Sequence, residues 1–243
     1  MENFSQLANE IFGHYVLPVV RFRLVEGDYV PLATTGTGFT FGDGTFITCW
    51  HCVTDDLPED EIYGVPTSWN GATAVGAHRL TNVERDGNGT DLALARIDLF
   101  HGSGFHLAEK AAAFGEEIVT FSYPLSENTV SPDRGANLIR IQSRVFRGYV
   151  MSIVDDDIHS RRSSPLYELD MPAPLFSSGS PLFRTQPFEI VGAVLGERGS
   201  GFEGEDFGLR YSVAHHLDVL SNAFGEITDG LPLSGYLASR RST

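Results

Sequence analysis

Three short segments hold residue types that could perform acyl transfer if the fold brought them together. Thr45-Phe46-Ile47-Thr48-Cys49-Trp50-His51-Cys52-Val53 is an apolar run that leads straight into a histidine. Thr90-Asp91-Leu92-Ala93-Leu94-Ala95-Arg96 opens an alternating run with an aspartate. Ser177-Ser178-Gly179-Ser180-Pro181-Leu182-Phe183 sets a serine among small residues, ahead of the apolar Ile190-Val191-Gly192-Ala193-Val194. A serine hydroxyl is a weak nucleophile at neutral pH and needs a base within hydrogen-bond reach. Imidazole has a suitable pKa, and a carboxylate on its other nitrogen fixes the tautomer and stabilises the imidazolium. Taken singly, each segment has a plainer reading: a structural histidine, a turn aspartate, a tight turn of small residues.

Cys49 and Cys52 frame His51 in a C-x-x-C arrangement. A redox motif of that kind belongs in a βαβ context, which the flanking pattern lacks. Two thiols and an imidazole could hold zinc, but a fourth ligand is not evident and His51 would be lost as a base. The expectation is therefore two free thiols, no metal and no cofactor.

The frame that must position these residues reads as all-β. The chain has 243 residues, enough for one or two domains, and its 26 Gly and 12 Pro punctuate short apolar runs rather than long amphipathic ones. Strands are expected over Tyr15–Leu24, Gly38–Phe41, Thr45–Thr48, Val75–Glu84, Asp91–Asp98, Glu117–Tyr123, Asn137–Phe146, Gly148–Val154, Leu166–Asp170, Ser180–Phe183, Phe188–Leu195 and Phe207–Val213. Gly42-Asp43-Gly44 reads as a tight hairpin, and Asp86-Gly87-Asn88-Gly89 as a turn. The acidic, Pro-containing stretch Asp55–Asn70 and the charged Asp155–Arg162 read as loops. Asn3–Phe12 and His215–Phe224 have helical spacing, and His101–Gly115 is the weakest strand pattern and the expected link between halves. Periodicity alone does not choose between a sandwich and a barrel.

The net charge of -15 disfavours nucleic-acid phosphates and anionic membranes as partners, although solubility explains much of it. No apolar run is long enough to span a bilayer, and Met1–Glu10 lacks a secretory pattern, so a cytoplasmic location is expected.

The order of the three segments adds what none carries alone. Thr48-Cys49-Trp50-His51-Cys52, Asp91-Leu92-Ala93-Leu94 and Phe176-Ser177-Ser178-Gly179-Ser180-Pro181 together resemble the trypsin-like, chymotrypsin-fold serine peptidases, in the chain order His, Asp, Ser. Phe121-Ser122-Tyr123-Pro124 is similar to the early second-barrel strand of bacterial HtrA-like members. The resemblance implies two antiparallel six-stranded β-barrels with a C-terminal helix near 215–224. Residues 1–108 would carry His51 and Asp91, and residues 109–243 would carry Ser178. It implies an oxyanion hole from the amides of Phe176 and Ser178. Phe176 stands where the family has Gly, which implies a hole that forms only with substrate or a partner. Ser177 stands where zymogen-type members carry Asp, so activation by a new N-terminus is not expected. The disulfide partner of Cys52 would fall near Thr37, which cannot supply one.

The same resemblance puts the base of the specificity pocket near Pro172 and Ala173 and its lining strand through Val194, Leu195, Gly196 and Glu197. With no carboxylate at the base, a small or medium apolar residue is expected there. The implied function is a serine endopeptidase acting on a protein or peptide substrate, with one dedicated partner among the options. An inactive relative that binds peptides in the same groove, and an esterase using the same acyl transfer, are the competing readings.

Overall fold

The computed structural model describes residues 13–54, 56–69, 74–99, 104–124, 127–130, 137–155, 164–200 and 209–241. The first half contains β1 (Val16–Val25), β2 (Asp28–Thr40), β3 (Thr45–Cys49), β4 (Glu61–Trp69), β5 (Ala74–Arg85) and β6 (Leu92–Ile97). They close an antiparallel barrel in the order β1-β2-β3-β6-β5-β4. The second half contains β7 (Glu117–Ser122), the hairpin β8 (Glu127–Val130) and β9 (Asn137–Arg140), then β10 (Arg144–Asp155), β11 (Pro165–Leu169), β12 (Pro181–Thr185), β13 (Phe188–Ser200) and β14 (Leu209–His216). Its barrel runs β10-β11-β14-β13-β12-β7, with β8-β9 set apart as a two-stranded sheet. Helices α1 (Leu217–Ser221) and α2 (Leu233–Arg241) follow. The all-β, two-barrel expectation with a C-terminal helix holds.

Local chemistry explains the pieces that matter. β3 is buried at every position from Thr45 to Cys49, as a strand enclosed on both faces should be. The hairpin before it turns on left-handed Gly42 and Gly44, and the Asp43 carboxylate accepts the Thr45 amide at 2.9 Å and the Thr45 hydroxyl at 3.0 Å.

Several boundaries differ from the sequence reading. Asp55–Asn70 is not all loop: β4 begins at Glu61. Gly64 and Pro66 hide it, yet β4 pairs with β1 only over Glu61–Gly64, so Pro66 sits where β5 is the sole neighbour of the two. Glu61 is buried and held by Arg23 at 2.5 Å and Arg21 at 3.5 Å, so a residue that reads as surface acid is a buried carboxylate paired with two partly exposed arginines. Asn137–Phe146 divides into β9 and the start of β10, and Ile141 between them enters the core. His215 and His216 still pair with Ala193 and Gly192 in the sheet, which shortens the expected helix to α1. β8 and α2 were not expected. Asn3–Phe12 and most of Asp155–Arg162 lie outside the described residues. In the connecting stretch, Leu107 bridges to Ile190 of the second barrel. No helix among the described residues is long and apolar enough to cross a membrane.

One core cluster joins the two barrels and the C-terminal helices, including Phe39, Ile47, Leu94, Phe105, Tyr123, Phe183, Leu220, Leu233 and Tyr236. Polar contacts then tie the C-terminal segment back to the first barrel. Arg96 on β6 donates to the Ile227 carbonyl at 2.8 Å, the Tyr236 hydroxyl at 2.7 Å and Thr45 Oγ1 at 3.0 Å, and lies 5.6 Å from the Tyr236 ring centre. Glu84 on β5 accepts the amides of Glu226 and Ile227 at 3.0 and 2.8 Å. Arg96→Ala should lower the unfolding free energy by about 2–4 kcal/mol, since it removes charge-assisted hydrogen bonds and orphans their acceptors. Urea denaturation checks this, with Arg96→Lys recovering only part of the loss.

Candidate active site

His51 follows β3 directly. Cys49 is the last, fully buried strand residue, and Trp50–Cys52 make one 3₁₀ turn closed by the Val53 amide on the Trp50 carbonyl at 2.9 Å. The turn is docked on Asp91 three times over. The Trp50 amide donates to the Asp91 carbonyl at 3.0 Å, and the His51 amide to Asp91 Oδ1 at 2.9 Å. His51 Nδ1 lies 2.6 Å from Asp91 Oδ2. Both carboxylate oxygens thus serve His51, one on its backbone and one on its ring.

Asp91 is itself fixed by the preceding turn. Buried Asp86 accepts the Thr90 hydroxyl at 2.7 Å and the Phe224 amide at 3.1 Å, and its own amide donates to Leu92 at 3.0 Å. The electrostatics follow from this geometry. Asp91 pushes the His51 imidazole up from 6.5 to about 10, and the Cys52 thiol beside the ring adds to the rise. Burial alone would raise the Asp91 carboxyl, but its hydrogen bonds and charge contact with His51 prevail and hold it below the ordinary 3.8.

Ser178 comes from the other barrel, on the loop between β11 and β12. Its carbonyl accepts the Thr37 amide of β2 at 2.9 Å, and the Gly179 amide donates to Val194 at 2.8 Å. Only glycine fits at 179: φ is +85°, and a Cβ there would lie 2.1 Å from the Thr37 carbonyl oxygen. The Ser178 hydroxyl donates to the Leu195 carbonyl at 2.9 Å, and no hydrogen bond joins it to His51. Phe176 adopts φ +72°, the left-handed backbone that a bulky residue resists. Its carbonyl is drawn aside by the Thr37 hydroxyl at 2.8 Å. Neither the Phe176 amide nor the Ser178 amide donates to a protein acceptor among the described residues.

Ser177 is buried and its hydroxyl lies 3.1 Å from that of Ser122 on β7. Ser180 Oγ donates to the Ser177 carbonyl at 2.7 Å and accepts from Thr120 at 3.0 Å. This hydroxyl network supports the serine loop, and sequence reading missed Thr120 and Ser122 because they look like ordinary strand residues. Cys49 and Cys52 are free and buried. A Cβ on Gly36 would meet Cys52 Sγ at 2.4 Å, so the thiol packs where a cross-link partner would otherwise sit.

The expected pocket residues have unequal fates. Ala173 and Val194 are buried in the second-barrel cluster, while Pro172 and Glu197 are exposed. Gly196 backs onto the serine, with its Cβ position 3.9 Å from Ser178 Oγ. Leu195 lines an open cavity of about 390 Å³ with His51, Asp91, Arg85, Gly89, Thr90, Ser164, Leu166, Arg198 and His215. His215 was not foreseen. It is buried behind Asp91, with neither ring nitrogen in hydrogen-bonding geometry, and burial keeps its pKa below 6.5 despite the Asp91 charge. Cys49, His51 and Asp91 offer ligand atoms within 4.8 Å of one another. They suit a metal poorly: burial keeps the Cys49 thiol protonated, it donates to Val194 at 3.3 Å, and Asp91 is taken up by His51.

The comparisons with known proteins follow this geometry. The model of the trypsin-like peptidase domain matches residues 36–192. Among solved structures, the active form of the Rv3671c protease from M. tuberculosis aligns at TM-score 0.53 and 15% identity, covering 97% of this chain and 86% of that one. An inactive serine-to-alanine mutant of the same protein aligns at TM-score 0.53 and 15% identity, covering 99% and 95%. At that identity the likeness is one of fold. No curated protein matches by sequence. With the family model spanning well over half of the chain, from β2 of the first barrel into β13 of the second, the chain belongs to the trypsin-like peptidases, the serine peptidases of the chymotrypsin fold.

Proposed function

We propose that the chain is a serine endopeptidase in which Ser178 is the nucleophile, His51 the general base and acid, and Asp91 the group that orients and charges His51. The observation that carries this reading is the double grip of Asp91 on His51, at 2.9 Å on the amide and 2.6 Å on Nδ1. It leaves Nε2 as the nitrogen for proton transfer. Residues 1–108 would supply the base and carboxylate, and residues 109–243 the nucleophile.

In the proposed reaction Ser178 rotates from the Leu195 carbonyl toward His51, gives up its proton and attacks the scissile carbonyl. The unengaged amides of Ser178 and Phe176 receive the oxyanion, a contribution of roughly 10²–10³ in rate per donor. His51 then protonates the leaving amine, and water repeats the sequence on the acyl-enzyme. A peptide substrate has a strand to lie against. The pairing of β12 with β13 stops at Ala193, whereas β13 continues to Ser200 with only β14 beside it, which supports addition of an extended chain there. Pro172, Ala173, Val194, Leu195, Gly196 and Glu197 stay the proposed surroundings of the side chain before the scissile bond.

One observation favours a second reading, a peptide-binding relative without turnover: the Ser178 hydroxyl rests on Leu195 rather than on His51. A fluorophosphonate probe separates the two. Labelling of the wild-type protein that disappears in Ser178→Ala is the expected result; a wild type that stays unlabelled even with candidate partner proteins present favours the binding reading. Asp91→Asn should lower turnover by roughly 10⁴-fold.

The pH dependence has a definite sign. A base must be neutral, so kcat/KM should rise with pH through the His51 pKa, and that rise should lie alkaline of the ordinary 6.5, toward about 10. Cys52→Ala removes one of the raising contacts and should move the rise to lower pH. For stability the raised imidazole acts the other way: its contribution is present below 6.5 and is lost as pH climbs through about 10. A pH-rate profile on both proteins checks the shift.

Phe176→Gly tests whether the site uses the Phe176 amide or its ring. It should keep fluorophosphonate reactivity, and relief of the left-handed backbone should offset the lost ring packing by about 1–2 kcal/mol. Loss of reactivity with the fold intact would assign the role to the ring.

A further inference from the structure

The chain has a net charge of -15, yet among the described residues the side chains lining the cavity beside His51 include two arginines, Arg85 and Arg198, and one carboxylate, Asp91. Both oxygens of Asp91 are engaged by His51. His215 is kept neutral by burial, and Gly89, Thr90, Ser164, Leu166 and Leu195 carry no charge.

Arg85 is also pre-positioned. It is the last residue of β5, and its guanidinium donates to the Thr90 carbonyl at 2.8 Å and the Gly89 carbonyl at 2.6 Å. Those carbonyls fix its orientation without neutralising it. Among the described residues no carboxylate pairs with Arg85. A cation oriented in this way at a strand end loses little entropy when an anion arrives and selects for one.

Resting on the peptidase reading, we propose that this cavity is a subsite for an acidic side chain, Asp or Glu, of the peptide substrate, with Arg85 and Arg198 as its specificity-determining residues. A substrate strand along β13 would pass Leu195 and Arg198, so one of its side chains can enter the cavity that Arg85 and Arg198 line. A cleavage site would then be chosen by one carboxylate near the scissile bond.

The test uses full-length Ser178→Ala protein as a trap and fluorescein-labelled positional peptide pools, each with one position fixed as Glu, Gln or Lys, read by fluorescence anisotropy. At one position the Glu pool should bind about tenfold or more tighter than the Gln pool, the size expected for a close charge pair. Adding Arg85→Gln should bring Glu and Gln pools within about twofold of each other, a loss near the whole pair energy. Arg198→Gln provides the second variant, and unchanged thermal midpoints report that each is folded. Equal binding of Glu and Gln pools, a preference for Lys, no binding of any pool, or a Glu preference that survives both arginine substitutions would overturn the proposal. The fluorophosphonate experiment stands apart: unlabelled protein with a clear Glu preference fails the peptidase reading alone, and labelled protein with no preference fails the subsite alone.

Discussion

The site depends on one clasp between the barrels, made by Thr37. Its amide holds the Ser178 carbonyl at 2.9 Å, its hydroxyl donates to the Phe176 carbonyl at 2.8 Å, and that hydroxyl accepts the Tyr123 amide at 3.2 Å. Its own carbonyl accepts the Thr48 hydroxyl at 2.7 Å and presses against Gly179. One fully buried side chain on β2 thus aligns the serine loop, the start of the second barrel and the strand that leads to His51. The neighbouring Gly36 leaves room for Cys52, whose thiol approaches the Ser178 carbonyl at 3.8 Å. Here packing and hydrogen bonds keep His51 and Ser178 in register without a covalent cross-link, and they can do so because water is excluded from the clasp and each bond is made in a low dielectric.

The serine loop is held from its other side by neutral groups. Ser122, Ser177, Ser180 and Thr120 exchange hydroxyl hydrogen bonds in a buried space where an ion pair would first have to be desolvated. Such a network does not titrate. The pH sensitivity of the site therefore lies outside this network, in groups such as His51, Asp91 and the buried His215, and the scaffold beneath the serine keeps its shape while those groups change charge.

Much of the site was legible because its segments are contiguous strings. An apolar strand ending at His51, an aspartate opening β6 and a small-residue turn at Ser178 each combine a local pattern with a residue type, and their order restricts the fold. What escaped is what depends on distant partners. β4 is obscured by Gly64 and Pro66 until β1 and β5 flank it. α2 is short and gains its place by putting Leu233, Tyr236 and Leu237 into the interbarrel core. The backbone of Phe176 runs against residue preference: a phenylalanine argues against φ +72°, and the Thr37 bond to its carbonyl, 139 residues away in sequence, favours it. His215 carries no local signal, since a histidine at a strand end reveals nothing about a carboxylate contributed by the other barrel.

On the proposed mechanism, two features of the resting site have one cause. Asp91 and Cys52 raise the His51 pKa toward about 10, which favours the imidazolium, a ring whose two nitrogens are both donors. A serine hydroxyl has no lone pair to donate to on such a ring, and Ser178 turns to the Leu195 carbonyl instead. A peptide laid along β13 changes both sides of that balance. It covers a ring whose side chain is 48% exposed, and loss of water disfavours the charged form of His51. Once the proton leaves, Nε2 becomes an acceptor and competes with Leu195 for the hydroxyl. The resting serine is then the expected partner of a charged imidazole, and substrate binding, by desolvating His51, produces the base that the reaction needs.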